Sequence, residues 1–508
     1  MHNKKIKTVE ELRSVVKKHK KNKLKIVMCH GAFDIMHFGH IEHFTQAKKL
    51  GDILIVSVTK DEFIKKGPKR PFFNIDIRCN TLAALELVDY VVISDSAIAV
   101  KNILTIEPSI YCKGSDYKII KKDITGNIKK EISSVRSVGG KIAYTDGKTF
   151  SSSHLINIFS DTFSKDQKKF LNLIKSKYAL DYIEKQIKSF MGLKILTLGE
   201  LIIDEYVFCK AIGKSSKEPM LVLKELFTEK YIGGIGSIAN HLSDFTNHIN
   251  LFSLLGSDKN SMQFVKKNLN KKIKLIHQNK LMSPTIVKKR FIDNVDKKKL
   301  LGVYLINDDP IDFKEESKII ANISSFIDKM DVVLVADYGH GMISKNIANN
   351  LVKKSKFLTV NSQINSFNRG NQKVDKFKKT HCLILNEAEL RHDLRDSYSP
   401  LKTLAKNMYK KIKYNKLIIT SGSNGANMFS KRGLNSIHCP AFADKIIDKV
   451  GSGDTMLAII SMCLKKNLPD ELTLFLGSVA AAKSVETIGN SESINKVDLI
   501  KTITHMLK

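Results

Sequence analysis

Cysteine is scarce and scattered in this chain, and its distribution excludes two classes of protein. The 508 residues include 7 cysteines, an odd number, and no CxxC motif occurs among them. A disulfide framework needs paired cysteines in a short secreted chain, and a structural zinc site needs closely spaced ligands. The composition therefore favours a reducing compartment, and we expect a cytoplasmic protein without structural zinc.

Long apolar segments are also missing. No run of about 18 apolar residues occurs, which is the length that a membrane-spanning helix needs. Residues 1–7 are polar and lack the apolar core of a secretory signal peptide. The sequence therefore predicts no membrane segment and no membrane partner.

Acidic residues are few relative to basic ones. Lys+Arg number 84 against 51 for Asp+Glu, which gives a net charge of +33. Such a charge raises the hypothesis of a nucleic-acid binder. However, the lysines are scattered, and no aromatic-basic stripe accompanies them. A generally basic protein is therefore favoured over a dedicated nucleic-acid binder.

A chain of 508 residues exceeds one small module, since domains usually run to roughly 100–200 residues. Apolar strand-like segments alternate with helical ones on both sides of a Lys-rich stretch at 165–190. This rhythm predicts an α/β domain with a parallel sheet on each side. The stretch itself has helical apolar spacing and no Gly or Pro, so we expect a linker helix or a helix packed at the boundary.

A pair of histidines follows the first buried strand of the N-terminal half. The segment HGAFDIMHFGH, from His30 to His40, lies where strand 25–29 ends and a helix begins. Helix N-termini at that edge of a sheet present free N–H groups to phosphate. His37 and His40 fall on one face of the first turn, and Gly39 permits close backbone approach. The pattern indicates a nucleotidyl-transfer site where both imidazoles stabilise charge as pyrophosphate leaves, whereas an isolated HxxH is better explained as surface histidines.

This segment resembles the signature of the cytidylyltransferase-like family of nucleotidyltransferases. The resemblance covers about residues 24–160 and includes AKKLGD at 47–52, KGSDY at 113–117 and three serines at 151–153. It is similar to the adenylyltransferase part of bifunctional ADP-heptose synthases. The resemblance implies that the triphosphate is held by His37, His40, Lys49, Phe33, Gly39, Ser151, Ser152 and Ser153. It places Lys113 and Asp116 on the substrate side or the nucleotide side, with substrate binding preferred, while an ordinary helix cap remains the alternative for the serines.

A second phosphate motif lies near the C-terminus. The sequence GSGD at 451–454 precedes the apolar, helix-like stretch 456–464. Glycines at a helix start expose N–H groups to an incoming phosphoryl group, and Asp454 can take the proton from an attacking hydroxyl. The motif alone is also typical of a capped helix after a loop.

Companion motifs strengthen the kinase interpretation. Together with GGIGSIAN at 233–240, NEAE at 386–389 and TSGSNG at 420–425, the motif resembles the ribokinase (PfkB) family over about residues 193–508. The resemblance implies that Asn386 and Glu389 arrange Mg²⁺ through water. It implies that ATP is held by Thr420, Gly422, Gly425, Gly451 and Gly453. It implies that the sugar is held by Asp204, Gly234 and Asn240.

Segments 218–230 and 284–305 predict alternating strands outside the main sheet. In sugar kinases of this kind such strands form a small β lid over the sugar, and exposed lid edges favour pairing with a second copy. We therefore expect a lid and a possible homodimer through it.

The two resemblances describe consecutive steps toward a nucleotide-activated sugar. We expect two doubly wound parallel-sheet domains, a Rossmann-like nucleotidyltransferase at 1–160 and a ribokinase-like kinase at 193–508, joined by a helical linker at 161–192. The kinase precedes the transferase in the familiar bifunctional enzymes, and here the order is reversed. DYGHG at 337–341 resembles their kinase part, whereas SKEPM at 216–220 departs from it.

The expected substrates are a sugar phosphate, with heptose 7-phosphate as first choice, and ATP, with Mg²⁺ as the metal. Three alternatives remain open: CTP chemistry on another sugar or polyol phosphate, a nucleic-acid binder with decayed sites, and one active domain beside an inactive one.

Overall fold

The computed structural model describes residues 4–64, 70–114, 127–146, 163–280, 282–364, 373–430, 433 and 435–508. The chain divides into two compact units, one formed by residues 1–164 with 500–508 and the other by 165–499. All 7 cysteines are buried free thiols. Among the described residues no helix has the length and apolar character needed to cross a membrane.

The first unit is built on a 6-stranded parallel sheet with the order β1-β4-β3-β2-β5-β6. Its strands are β1 (Ile6–Lys7), β2 (Ile26–Gly31), β3 (Ile53–Thr59), β4 (Tyr90–Ser94), β5 (Ile110–Gly114) and β6 (Lys141–Thr145). Its helices are α1 (Val9–Lys21), α2 (Phe38–Lys48), α3 (Ile75–Ala83), α4 (Val100–Ile106) and α5 (Asn127–Ser137). The order changes direction at β2, and open α/β sheets bind ligands at such a point.

Both faces of this sheet are covered, as expected for parallel strands with continuous apolar runs. Val27 and Cys29 of β2 enter one buried cluster, whereas the alternate residues Ile26 and Met28 enter another. The predicted parallel α/β fold of the N-terminal half is confirmed.

The second unit begins with two helices, α6 (Lys165–Lys177) and α7 (Leu180–Lys188). Phe170 of α6 packs against Phe475 at a ring-centroid distance of 6.4 Å. The Tyr178 hydroxyl donates a hydrogen bond to Glu471 at 2.9 Å, and Lys177 pairs with the same carboxylate at 2.7 Å. The Lys-rich stretch is therefore a helical pair that packs on the second unit.

The main sheet of the second unit has 9 strands in the order β11-β10-β7-β14-β15-β16-β17-β18-β19, and β18 is antiparallel to both neighbours. Its strands are β7 (Lys194–Gly199), β10 (His248–Leu255), β11 (Ile273–Asn279), β14 (Val332–Asp337), β15 (Leu358–Ser362), β16 (Lys379–Asn386), β17 (Lys413–Thr420), β18 (Ala426–Ser430) and β19 (Ser436–Cys439). The helices around it are α8 (Ile235–Leu242), α9 (Lys259–Asn268), α10 (Phe313–Ser324), α11 (Lys345–Lys354), α12 (Glu387–Leu394), α13 (Leu401–Lys411), α14 (Ser452–Lys465) and α15 (Asp470–Ser484), and α16 (Lys496–Met506) is the last helix of the chain.

A separate 4-stranded mixed sheet has the order β13-β12-β8-β9. Its strands are β8 (Leu201–Lys214), β9 (Leu221–Gly234), β12 (Ile286–Asp293) and β13 (Lys299–Leu305). These strands come from the segments where the sequence predicts lid strands, extended by β8. We call this sheet the lid sheet.

Candidate active sites

The turn after β2 shapes the first site. Phe33 adopts a left-handed backbone with φ of 47° and is buried. Its ring meets the His40 ring edge-on at 5.4 Å and the Phe44 ring at 5.1 Å. A Cβ on Gly31 would lie 3.1 Å from the Phe33 ring, so glycine permits this close packing. The Phe33 ring therefore packs directly against the His40 ring.

His37 and His40 lie together at the start of α2. His37 is the N-cap residue, and Gly39 lies between the two histidines in the first turn. The two imidazoles stack with centroids 3.8 Å apart and an interplanar angle of 21°. Burial lowers the pKa of His37, which favours its neutral imidazole. The arrangement offers imidazole groups and helix N–H groups to one anionic ligand.

Arg78 stabilises the loop between β2 and α2. Its buried guanidinium donates to the carbonyl of Ala32 at 2.5 Å, to the carbonyl of Thr59 at 2.9 Å and to Asp61 at 2.5 Å. Asp34 accepts hydrogen bonds from two backbone amides of the segment at 72–73. These contacts fix the backbone between β2 and α2, so Arg78 is a structural residue of the site.

Two further residues predicted for the first site, Lys49 and Lys113, lie on different elements. Lys49 is the exposed C-cap residue of α2, an 11-residue helix that is about 16 Å long, so it stands at the far end from His37. Lys113 is buried and pairs with Glu131 at 3.0 Å, and that carboxylate also accepts from the Tyr111 hydroxyl at 3.1 Å. Helix length thus separates the Lys49 backbone from His37, and an interior ion pair engages Lys113 at the carboxyl end of β5, so both assignments stay predictions. The predicted Asp116, Ser151, Ser152 and Ser153 lie outside the described residues.

The second unit contains a cavity of about 320 Å³ that brings most of the predicted kinase residues together. Strand ends, the lid sheet and the start of α14 all contribute to its wall. Its lining includes the predicted Asp204, Gly234, Asn386, Glu389, Thr420, Gly451, Gly453 and Asp454.

Asp454 lies in the first turn of α14, where the positive helix end faces the cavity. The helix is capped by Gly451 with φ of 89°, and a Cβ there would come within 2.1 Å of Asn490 Oδ1. Burial raises the pKa of Asp454 to about 7, with Asp204 adding to the rise and a hydrogen bond from Tyr338 opposing it. Asp454 is therefore poised to accept a proton near neutral pH.

Tyr338 was not predicted as a site residue, although the motif that contains it was recognised. Its hydroxyl donates a hydrogen bond to Asp454 Oδ1 at 3.0 Å. The backbone amides of Tyr338 and His340 donate to the buried Glu200 at 3.0 and 3.2 Å. Burial, together with the neighbouring Asp337, raises the pKa of Glu200 to about 7. Glu200 thus organises the turn that presents Tyr338 to Asp454.

The lid sheet supplies another part of the cavity wall. Asp204 of β8 pairs with Arg290 of β12 at 2.5 Å, and both line the cavity. Gly233 allows this placement, because a Cβ there would lie 2.0 Å from Asp204 Oδ2. Lys288, also on β12, lines the cavity and is half-buried, and in the described part of the chain no carboxylate lies within 4.0 Å of its ammonium. The ammonium of Lys288 is not fully solvated, and this burial lowers its pKa.

Asn386 and Glu389 form the N-terminal capping box of α12. The Asn386 side chain accepts from the amide of Ala388 at 2.9 Å, and Glu389 accepts from the amide of Asn386 at 2.7 Å. Both residues still line the cavity, and burial raises the pKa of Glu389 to about 7. No group of three or more metal-ligating side chains is preassembled within the described ranges. Their oxygen donors suit a hydrated Mg²⁺ that arrives with nucleotide phosphates.

Three other predicted residues lie off the cavity wall. Asn240 uses its side-chain amide to bridge the carbonyl of Asn268 at 3.2 Å and the amide of Asn270 at 3.0 Å, so it is engaged in local structure. Gly422 and Gly425 shape the turn that follows Thr420, with φ of 57° and 85°. Thr420 reaches the cavity, whereas the two glycines do not line it.

His241 is a further residue of this site that no sequence motif indicates. It is buried in α8, and its Nδ1 accepts from the amide of Ile494 at 3.0 Å. Its Nε2 is therefore the donor to the Thr455 hydroxyl at 3.1 Å, and that hydroxyl donates to the carbonyl of Gly451 at 3.1 Å. This chain of hydrogen bonds fixes the cap of α14.

Comparison with known proteins agrees with the geometry of both units. Residues 193–497 match the pfkB family of carbohydrate kinases, and residues 28–169 match the cytidylyltransferase-like family. The chain is 39% identical over 140 residues to the bifunctional protein HldE of Campylobacter concisus, covering 27% of this chain and 29% of that protein. It is 42% identical over 131 residues to the HldE of Campylobacter jejuni, covering 25% of this chain and 28% of that protein. The matches thus span less than a third of these relatives.

The fold of the second unit has a counterpart among solved structures. Escherichia coli phosphofructokinase-2 in complex with substrates and products aligns with a TM-score of 0.51 at 13% identity, over 62% of this chain and 100% of that one. That likeness shows the ribokinase-like fold, and the family match covers more than half of the chain. The protein is accordingly a transferase of the pfkB carbohydrate kinase family that carries an additional N-terminal cytidylyltransferase-like domain.

Proposed function

We propose that this protein catalyses two consecutive reactions in the synthesis of a nucleotide-activated sugar, in the cytoplasm. The kinase unit uses ATP to phosphorylate a sugar. The preferred candidate is heptose 7-phosphate, which would be phosphorylated at C1. The transferase unit then joins the sugar 1-phosphate to the nucleotidyl group of ATP and releases pyrophosphate. The observation that carries the proposal is Asp454, a buried carboxylate with a pKa near 7 at a helix N-terminus, in a cavity lined by sugar-binding candidates.

In the kinase reaction Asp454 takes the proton of the sugar hydroxyl as that oxygen attacks the γ-phosphorus of ATP, and ADP leaves. The N–H groups at the start of α14, including those of Gly451 and Gly453, face the transferred phosphoryl group. Asn386 and Glu389 hold the water shell of Mg²⁺, which neutralises phosphate charge when it is bound. Asp204 accepts hydrogen bonds from sugar hydroxyls while Arg290 holds its carboxylate in place.

The basic side chains of the cavity also favour a substrate that already carries a phosphate. Lys288, Arg290 and Lys449 all line it, and Arg290 is engaged with Asp204. A half-buried ammonium such as that of Lys288 is costly unless an anion meets it. A sugar phosphate supplies that anion, so we assign Lys288 to the phosphate of the incoming sugar.

In the transferase reaction the phosphate of the sugar 1-phosphate attacks the α-phosphorus of ATP. His37 and His40 donate hydrogen bonds to the phosphate oxygens where charge builds, and the N-terminus of α2 adds its dipole. Phe33 keeps the His40 ring in its stacked position.

Product analysis by mass spectrometry tests the proposal. The protein is mixed with Mg²⁺, ATP, CTP and a panel of heptose and hexose phosphates, and each product is identified. Asp454→Asn should abolish sugar phosphorylation but still release pyrophosphate when sugar 1-phosphate is supplied, and His40→Ala should abolish only pyrophosphate release. Each variant is the matched control for the other, so a variant that leaves both activities intact overturns the site assignment. Turnover with CTP alone would establish the alternative base.

We further propose that two copies pair through their lid sheets. Leu301, Val303 and Leu305 alternate along β13, so they share one face, and they are 56%, 51% and 56% exposed. Three exposed apolar side chains on one face favour burial against an identical face. Sedimentation should show a dimer that Val303→Asp converts to a monomer, and a monomeric parent protein would refute the pairing.

A further inference from the structure

Asp448 is a buried carboxylate that lies three residues before the cap of α14. Its Oδ1 accepts from the ammonium of Lys299 at 2.6 Å and from the amide of Val450 at 3.1 Å. Its Oδ2 accepts from the hydroxyl of Tyr206 at 3.0 Å and from the amide of Gly489 at 3.1 Å. Four donors thus meet on one side chain. One of them, the amide of Val450, belongs to residues 450–453, which we call the phosphate-binding turn.

Two of these donors belong to the lid sheet. Tyr206 is on β8, two residues after Asp204, and Lys299 begins the edge strand β13. Tyr206 is fully buried, and the ammonium of Lys299 lies 5.9 Å from the centre of its ring. The lid sheet is therefore fastened at two strands to the segment that leads into Gly451.

The fastened parts both line one cavity. The lid sheet contributes Asp204, Lys288 and Arg290, while the turn contributes Gly451 and Gly453. Asp448, Tyr206 and Lys299 do not line that cavity, so they can affect ligands only through the parts they join. A shift of the lid sheet toward a sugar must either move the turn or break contacts to a buried charge, which is unfavourable.

We propose that Asp448 is a positioning residue through which Lys299 and Tyr206 couple the lid sheet to the phosphate-binding turn, so that sugar binding tightens nucleotide binding and nucleotide binding tightens sugar binding. This inference rests on the proposed kinase function. The coupling is reciprocal, since each ligand must change the affinity for the other by the same factor.

The experiment measures the dissociation constant of AMP-PNP with Mg²⁺ by calorimetry on the full chain, and the titration is fitted with two sites because the transferase unit is also proposed to bind ATP. It is measured with and without the phosphosugar that supports turnover in the product screen, beginning with heptose 7-phosphate. In the parent protein the sugar should tighten AMP-PNP binding by about fivefold or more. Lys299→Met should bring this factor close to one, and Lys299→Arg should restore it. Lys298→Met is the matched control, because Lys298 makes an exposed pair with Asp296 on the same hairpin.

Tyr206→Phe gives an independent second variant, because it removes the other lid donor without changing charge. It should reduce the coupling factor while AMP-PNP alone still binds. Equal coupling in Lys299→Met and Lys298→Met, or no coupling in the parent protein, would overturn the inference. Absence of phosphorylation of every sugar by the parent protein would instead overturn the proposed kinase function, and the inference with it.

Discussion

The hydrogen bond from Tyr338 to Asp454 should set the pH at which the kinase unit works. Burial raises the pKa of the Tyr338 phenol far above neutrality, so the hydroxyl stays protonated and donates to the carboxylate. Tyr338→Phe removes that donor and leaves the ring. The charged form of Asp454 then loses stabilisation, and its pKa must rise further above about 7.

The size of the shift follows from the strength of such a bond. A hydrogen bond to a charged group contributes about 1.5–3 kcal/mol, and one pKa unit corresponds to about 1.36 kcal/mol. We therefore expect a rise of roughly 1–2 pKa units. At pH 7 the ionised fraction of Asp454 would then fall roughly 5- to 50-fold, and kcat/KM for the sugar should fall with it.

The assay is the pH profile of sugar phosphorylation, with ADP release followed between pH 6 and 9.5. The parent protein should gain activity with a midpoint near pH 7, and Tyr338→Phe should recover most of its activity above pH 9. Tyr414→Phe is the matched control, because its buried hydroxyl donates to the carbonyl of Ala405 at 2.7 Å away from the cavity. If the profiles of Tyr338→Phe and the parent protein coincide, Asp454 is not the base or Tyr338 does not tune it.

Three further predictions concern the kinase unit. Gly233→Ala places a Cβ within 2.0 Å of Asp204 Oδ2, so KM for the sugar should rise at least about tenfold in initial-rate assays, and an unchanged KM would contradict the role of Asp204. Thr455→Val breaks the hydrogen bond from His241 and should lower kcat about tenfold, whereas Thr455→Ser should retain it; equal kcat values would argue against this bridge. Phe377→Ala should lower the free energy of unfolding in urea by about 3–5 kcal/mol, because this ring is fully buried in the large hydrophobic cluster of the second unit. A loss below about 1 kcal/mol would show that neighbouring side chains fill the cavity.

The fold could be predicted from the sequence because its strands are buried on both faces and therefore appear as short apolar runs. Strand β14, with the sequence VVLVAD, is buried at every residue, and such a run between helical segments is typical of a parallel sheet. The helical stretch at 165–190 was predicted as one helix, whereas the structure divides it after Lys177. The apolar spacing continues across that break, so periodicity alone could not locate it.

The kinase cavity could also be predicted in outline, since the carboxyl ends of parallel strands meet at one edge of a sheet. Asp454 and Glu389 are brought to one cavity in this way. Asn240 does not line the cavity and Lys49 stands at the far end of its helix from His37, because a motif gives a position in the chain and not a place in the fold. The contact between Tyr338 and Asp454 joins residues 116 positions apart, and no local pattern reports such a pairing.

The two helices that precede β7 determine at which residue a recombinant fragment of the kinase unit should begin. Phe170, Ile174 and Ile183 are buried at 7%, 0% and 2% exposure, although the family match begins only at residue 193. A recombinant fragment that starts at residue 193 would uncover the apolar surface beneath these side chains and should aggregate. Starting at Lys165 keeps that surface covered, which makes the helical pair part of the smallest fragment fit for expression.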